Sequence, residues 1–445
     1  MKKPELAHLV AVHMGLGHLR AAYPLRSISP EGIMVWGSRG HVSPGEKKYW
    51  RLWRRIYYHL SRVGSYPVIG RLALKILISV ERIPPFYPKR DLSRPTAAVR
   101  LLKFLIRKAG LARSLPEYLE GDNLPVVNTF YATAIALDMK LKGQEPPREN
   151  YVIICDADIN RVWVAERPTE SQIRYLVPCT RTKARLISYG VKEENIFVTG
   201  FPLPAENIGS EGRMEALKID LLTRLGQLDP AGKFFAHYGQ TIQQQLGLNR
   251  IPDSVSRSRP FTIMFAIGGA GAQVETAGKI LKSLNREINS AQVRLIFACG
   301  VQRKVLEKVL KFINQERLSA QIGRNIYLIY QDDVFNYFDQ FNRWLRQTDI
   351  LWTKPSELSF YCGLGIPILM ADPIGPQEER NRRWLMDIQA GLVPAGPPEY
   401  CAEWLSDLRK NGRLAEAAWA GFIKARKLGT YKIAKLLQTG QFTEE

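Results

Sequence analysis

Short apolar runs, each closed by a glycine or polar turn and followed by helical spacing, recur along the chain. They span Leu6 to Val12, Pro125 to Asn128, Tyr151 to Cys155, Phe197 to Thr199, Phe261 to Ile267, Val293 to Ala298, Ile326 to Tyr330, Ile350 to Thr353 and Pro367 to Met370. Continuous apolar strands alternating with helices predict parallel sheets covered on both faces, an α/β fold. The strand rhythm stops between Pro202 and Pro260, where polar sequence surrounds a helix expected at Met214 to Leu225. This break predicts two Rossmann-like halves, 1–205 and 260–425, with a linker and helical insertion over 206–259. A last helix and tail are expected over 426–445, and Cys401 to Leu437 reads as helical. No short repeat or low-complexity tract interrupts the pattern.

Ligands of such sheets sit outside the carboxyl ends of the strands, so the turns there are the first places to look for chemistry. The first turn reads His13-Met14-Gly15-Leu16-Gly17-His18, placing two glycines and a histidine where backbone can approach a polar ligand. The second half opens with Gly268-Gly269-Ala270-Gly271-Ala272-Gln273 ahead of a helix, a turn suited to phosphates but without the spacing of the dinucleotide fingerprint. Three later pieces follow in order: Trp352-Thr353-Lys354-Pro355-Ser356-Glu357, Gly363-Leu364-Gly365-Ile366-Pro367, and Gly375-Pro376-Gln377-Glu378-Glu379-Arg380-Asn381.

Together these pieces resemble the glycosyltransferase family 28 group: monogalactosyldiacylglycerol synthases, processive diacylglycerol glucosyltransferases and the peptidoglycan N-acetylglucosaminyltransferase. Thr353-Lys354, Gly365-Ile366-Pro367 and Gln377 to Asn381 match its TK, GLP-like and GQExxN-like elements. In the N-terminal half His18 falls at the histidine of the first glycine turn, Cys155-Asp156-Ala157-Asp158 near a strand-ending TD, and Gly190 to Pro202 along a GxxxxxIxVTGxP segment. The resemblance implies a GT-B fold, two Rossmann-like domains facing a central cleft, with the acceptor and membrane in the first and the donor in the second.

It further implies an inverting transfer from a nucleotide sugar, a UDP-sugar in the first instance, to a lipid such as diacylglycerol. By matching position Gly269 and Gly271 would hold the diphosphate, and Gln377, Glu378 and Asn381 the ribose and sugar. Gly15 and Gly17 would form the acceptor or phosphate turn. Where much of the family has an acid five residues before the GLP glycine, this chain has Phe360; Glu357 is the substitute expected to meet a hydroxyl. The base that takes the acceptor proton is His18 or Asp156. No metal ligand set stands out in the donor half, so no metal or other cofactor is expected beyond the nucleotide-sugar co-substrate.

Charge adds a second partner. The formal balance is +21, and between Lys47 and Arg113 seventeen Lys and Arg face only Glu81 and Asp91, so this segment carries +15. Lys47 to Tyr58 mixes cations with aromatics, with Trp50, Trp53 and Tyr57 on one helical face beside Arg54 and Arg55. Farther on, Ala98, Leu101, Leu102 and Leu105 form an apolar face against Arg100, Lys103 and Arg107. Both patterns suit an anionic membrane surface, and no nucleic-acid motif accompanies them.

The apolar stretch Tyr66 to Ile83 is broken by Arg71, Lys75, Glu81 and Arg82, so no spanning helix is expected. The five scattered cysteines and the start of the chain suggest neither a disulfide framework nor a signal peptide. The expected location is cytoplasmic, peripheral on the inner face of the cell membrane. Three alternatives stay open: a GT-B enzyme on a soluble acceptor, a nucleotide-sugar epimerase, and a noncatalytic lipid-binding relative. Vesicle and nucleotide binding separate them.

Overall fold

A computed structural model of the chain describes residues 6–38, 42–60, 82–108, 110–141, 148–249, 259–268, 271 and 273–444, without the side chains of 53–60 and 105. The chain divides into two compact units: Met1–Leu203 with Ile374–Asn381 and Arg426–Glu445, and Pro204–Pro373 with Arg382–Ala425. Each unit is built on one six-stranded sheet, and every strand pair in both sheets is parallel. Two Rossmann-like halves in one chain are the GT-B fold class.

In the first unit the strands are β1 (His8–Val12), β2 (Ile33–Trp36), β3 (Val126–Asn128), β4 (Asn150–Ile153), β5 (Ile173–Leu176) and β6 (Ile196–Phe197), ordered β2-β1-β3-β4-β5-β6. All residues of β1, β3 and β4 are buried, as central parallel strands covered on both faces require. The order reverses between β1 and β3. Two strands had no counterpart in the apolar pattern. β2 is a four-residue edge strand with alternating burial. β5 carries Arg174, whose guanidinium bonds the Tyr151 hydroxyl and pairs with Glu149, so a cation interrupts an otherwise apolar run.

The second unit holds β7 (Phe261–Ala266), β8 (Val293–Gly300), β9 (Ile326–Tyr330), β10 (Ile350–Thr353), β11 (Ile368–Met370) and β12 (Gly391–Leu392), ordered β12-β11-β10-β7-β8-β9. Here the reversal falls between β7 and β10. The stretch 206–259 contributes two helices to this unit, Glu215–Leu228 and Lys233–Leu246. Arg224, on the first of them, is fully buried and donates to the carbonyls of Thr348 (2.7 Å), Leu364 (2.9 Å), Gly365 (3.2 Å) and Leu345 (3.3 Å). One guanidinium therefore satisfies four carbonyls that would otherwise be buried unpaired.

After helices Cys401–Lys410 and Arg413–Lys424 the chain rejoins the first unit through helix Gly429–Thr439. Thr430 donates to the Leu203 carbonyl at 2.5 Å. Glycines permit this approach: a Cβ on Gly200 would meet the Arg426 carbonyl oxygen at 2.8 Å, and one on Gly429 would collide with the Phe201 carbonyl oxygen.

The basic aromatic segment needs correction in two places. Helix Pro44–Leu60 does form, but Trp50 faces the core with 5% exposure, not a membrane. Its indole N–H donates to Glu46 (3.1 Å), a buried carboxylate that also accepts from the Trp36 indole (2.9 Å) and the Ala112 amide (2.8 Å). A carboxylate so placed needs several donors, and Trp50 is one of them. In helix Ala97–Lys108, Lys103 is buried while Leu101 and Phe104 are about half exposed, at 53% and 52%. The Lys103 amine finds the Val164 carbonyl, so this one cation of the face read as basic turns into the protein, while Arg100 and Arg107 stay exposed. Trp53, Arg54, Arg55 and Tyr57 have side chains outside the described residues, as is most of Tyr66 to Ile83. Among the described residues no helix is long and apolar enough to cross a membrane.

Candidate functional site

In the first unit the turn after β1 passes through Gly15, at φ +89°, a left-handed value that glycine adopts at little cost. Gly17 then starts helix Gly17–Ala22, which carries His18 toward the carboxyl end of β3. The His18 Nδ1 lies 2.6 Å from the carbonyl oxygen of Thr129, the residue after β3. The imidazole thus crosses the β1/β3 reversal, the crevice where doubly wound sheets bind ligands. A carbonyl only accepts, so Nδ1 carries the proton and the neutral ring keeps its lone pair on Nε2. Phe130 packs edge-on at a centroid distance of 5.0 Å and Trp163 lies at 6.1 Å, holding the ring.

β4 delivers the next group. The Cys155 sulfur lies 3.8 Å from His18 Nδ1, and half-buried Asp156 follows it. The Asp156 Oδ1 accepts from Asn381 Nδ2 at 2.9 Å, while Asn381 Oδ1 accepts from the Ala157 amide at 2.8 Å. Asp158 differs. It is fully buried and held by Arg185 through Nε (2.7 Å) and Nη2 (3.0 Å), with Arg181 at 3.5 Å. Asp158 is therefore an internal ion-pair member, and of the two neighbouring acids only Asp156 keeps solvent access. No cluster of three or more potential metal ligands occurs among the described residues.

In the second unit the turn after β7 includes Gly268 and Gly271, whose amide donates to the Gly268 carbonyl at 2.7 Å. Gly271 sits at φ +71°, again a conformation suited to glycine. Helix Val274–Ser283 follows, its N-cap residue Gln273 making no side-chain capping bond. Gly269 lies outside the described residues. Across the β7/β10 reversal, Lys354 leaves β10 and runs over the turn: a Cβ on Gly268 would lie 2.9 Å from Lys354 Cε and 3.7 Å from Nζ. A glycine turn, the start of a ten-residue helix and a lysine thus meet at the crevice of the second sheet, an arrangement that favours an anion. Lys354 was visible within the Thr353-Lys354 motif but was not singled out as a site residue.

Glu357 begins a 3₁₀ segment, Glu357–Leu364, and is half-buried. Phe360, where an acid was expected from the resemblance, is buried against Trp384 at a centroid distance of 5.0 Å, so this position is core. Of the other expected donor ligands, Gln377, Glu378 and Asn381 belong to the first compact unit. Glu378 accepts from the Ile374 amide at 2.7 Å, closing the approach to helix Pro376–Asp387. Asn381, with both ends of its amide used and no exposed surface, is joined to Asp156 and the Ala157 amide.

A family model described as a domain of unknown function (DUF6938) matches residues 240–325 and 304–437. Comparison with curated proteins returns no match. Among solved structures the chain is similar to a UDP-glucosyltransferase from Polygonum tinctorium capable of glucosylating indoxyl, at 12% identity and a TM-score of 0.48, covering 97% of this chain and 99% of that one. It is also similar to the glycotransferase of kitacinnamycin, at 13% identity, TM-score 0.46 and coverages of 98% and 99%. A third is the UDP-GlcNAc 2-epimerase of Neisseria meningitidis bound to UDP-GlcNAc, at 14% identity, TM-score 0.43 and coverages of 83% and 90%. Two of these structures are named as transferases and one as an epimerase, and at such identities the likeness is one of fold alone.

Proposed function

We propose that the protein is an inverting glycosyltransferase that moves a hexose from a UDP-sugar to a hydroxyl of a lipid acceptor such as diacylglycerol. The observation that carries the proposal is the His18 Nδ1 to Thr129 carbonyl bond, because it fixes the tautomer and orientation of an imidazole at the ligand-binding end of the first sheet.

The acceptor oxygen attacks the anomeric carbon while the bond from that carbon to the diphosphate oxygen breaks. Its electron pair leaves with the nucleoside diphosphate, and the hydroxyl proton passes to His18 Nε2. Asp156 binds the acceptor hydroxyl. Lys354, the Gly268 to Gly271 turn and the first turn of helix Val274–Ser283 offset the charge gathering on the diphosphate. Glu357, at the carboxyl end of β10, is a hydroxyl ligand for the donor.

The lipid acceptor and a peripheral place on the inner membrane face are supported by the exposed residues of the basic segment. Tyr49 and Leu52 are 44% and 50% exposed on helix Pro44–Leu60, beside exposed Lys48 and Arg51. Leu101 and Phe104 are exposed on helix Ala97–Lys108, beside Arg100, Arg107 and Lys108. Apolar tips among cations suit an anionic headgroup boundary.

The test is incubation with UDP-glucose or UDP-N-acetylglucosamine and phosphatidylglycerol vesicles containing diacylglycerol. UDP release matched by a glycolipid product supports the proposal. Interconversion of the sugar without lipid product identifies an epimerase instead, and transfer of the sugar only to a soluble alcohol, with UDP released, would remove the lipid from the proposal.

A further inference from the structure

Asn381 comes from a motif whose resemblance assigned it to the donor, yet its side chain is buried in the first unit, 225 residues from its carboxylate partner Asp156. Chemistry fixes the orientation of its amide. The Ala157 N–H can only donate, so it takes Oδ1, and an ionised carboxylate can only accept, so Asp156 takes Nδ2. A second anchor lies one residue earlier: Arg380 donates to the Ile83 carbonyl at 2.8 Å. Asn381 is thereby held at the residues after β4 that include Asp156, with its neighbour Arg380 tied to Ile83.

We propose that Asn381 is a positioning residue for Asp156. It fixes the carboxylate in one rotamer and favours its ionised form, so that Asp156 can bind the acceptor hydroxyl beside His18. Asparagine is required because one end must accept from a backbone amide and the other must donate to a carboxylate. Aspartate offers two acceptors and leucine none. The proposal rests on the transferase reading of the first unit, and its test separates the two.

Three variants decide it: Asn381→Asp, Asp156→Asn and the double exchange. In N381D two carboxylates face each other and share a proton, so the folded-state pKa of the pair rises above the ordinary carboxylate value. Stability is then present at about pH 4 and lost as pH climbs toward about pH 7. The Tm of N381D is expected to fall along that ramp relative to the wild type. In the double exchange the residue at 156 donates to the carboxylate at 381, which still accepts from Ala157, so the Tm at neutral pH recovers. Turnover does not recover, remaining about 10²-fold or more below the wild type as in D156N, and the acid limb of the N381D rate profile moves to higher pH with KM for UDP-glucose unchanged.

Recovery of turnover along with Tm in the double exchange, or an N381D Tm that follows pH as the wild type does, would overturn the proposal. Absence of any wild-type turnover sinks the transferase reading, and the Tm series then judges the Asp156 to Asn381 pairing on its own.

Discussion

The Nδ1 of His18 lies 2.6 Å from the Thr129 carbonyl oxygen, so one hydrogen bond spans the strand-order reversal of the first sheet and sets the tautomer of the ring. If Nε2 takes the acceptor proton, His18→Ala lowers turnover by about 10²- to 10⁴-fold. UDP affinity is expected to stay unchanged, because Lys354 and the Gly268 turn, the groups proposed to hold the diphosphate, belong to the other unit. Steady-state rates alongside calorimetric UDP binding check both halves, and a matching loss of UDP affinity would contradict the assignment.

The contact between Gly268 and Lys354 yields a substitution that separates binding from folding. A methyl group at 268 would lie 2.9 Å from Lys354 Cε, and the end of a lysine can swing away. Gly268→Ala is therefore expected to displace the amine, weaken UDP binding by about tenfold, near 1.4 kcal/mol, and leave Tm little changed. Lys354→Met should match it in affinity. Calorimetric titration and thermal unfolding of the two variants decide the point.

Trp50 and the pair Leu101 and Phe104 should behave in opposite ways. Trp50 is 5% exposed and bonded to Glu46, so Trp50→Ala costs about 3–5 kcal/mol of stability. Leu101→Ser with Phe104→Ser removes half-exposed side chains, leaves the fold stable and lowers binding to phosphatidylglycerol vesicles. Sedimentation with vesicles, repeated at high salt, reads the second effect. Retained binding in the double variant would place the membrane contact elsewhere.

Burial holds the Lys103 amine down to about 7 from 10.5, with nearby Arg161 adding to the shift. The unfolded chain binds this proton more tightly, so Lys103 lowers stability below about pH 7 and the deficit disappears as pH rises toward the unfolded value. Lys103→Met should raise Tm most at and below neutral pH and flatten the rise in alkali. The Val164 carbonyl keeps a donor in the variant, because Arg161 Nη1 also bonds it at 2.8 Å. Thermal unfolding across that pH range tests this.

The parts legible in the chain were those that depend on local pattern. Apolar runs such as Phe261–Ala266 read as central strands because every residue is buried, whereas β2, β5 and β12 are short, edge-placed or interrupted by Arg174. His18 and Asp156 stood out in the chain because each lies a few residues beyond the carboxyl end of a strand, His18 after β1 and Asp156 after β4. Trp50 was misplaced because its helix looks amphipathic from spacing alone, while its hydrogen-bond partner Glu46 gains its meaning from Trp36, 10 residues before it, and from Ala112 and Ser114 far along the chain. Asn381 and Asp156 were each noticed, but their pairing is a property of the fold that no spacing reveals.

The most direct measurement is thermal unfolding of the wild-type protein with a panel of nucleoside diphosphates and UDP-sugars. A ligand at about 100 times its dissociation constant adds about 2.7 kcal/mol. A shift selective for UDP and UDP-sugars, lost in Lys354→Met and kept in His18→Ala, is the predicted result. No shift with any nucleotide would contradict a donor site in the second unit.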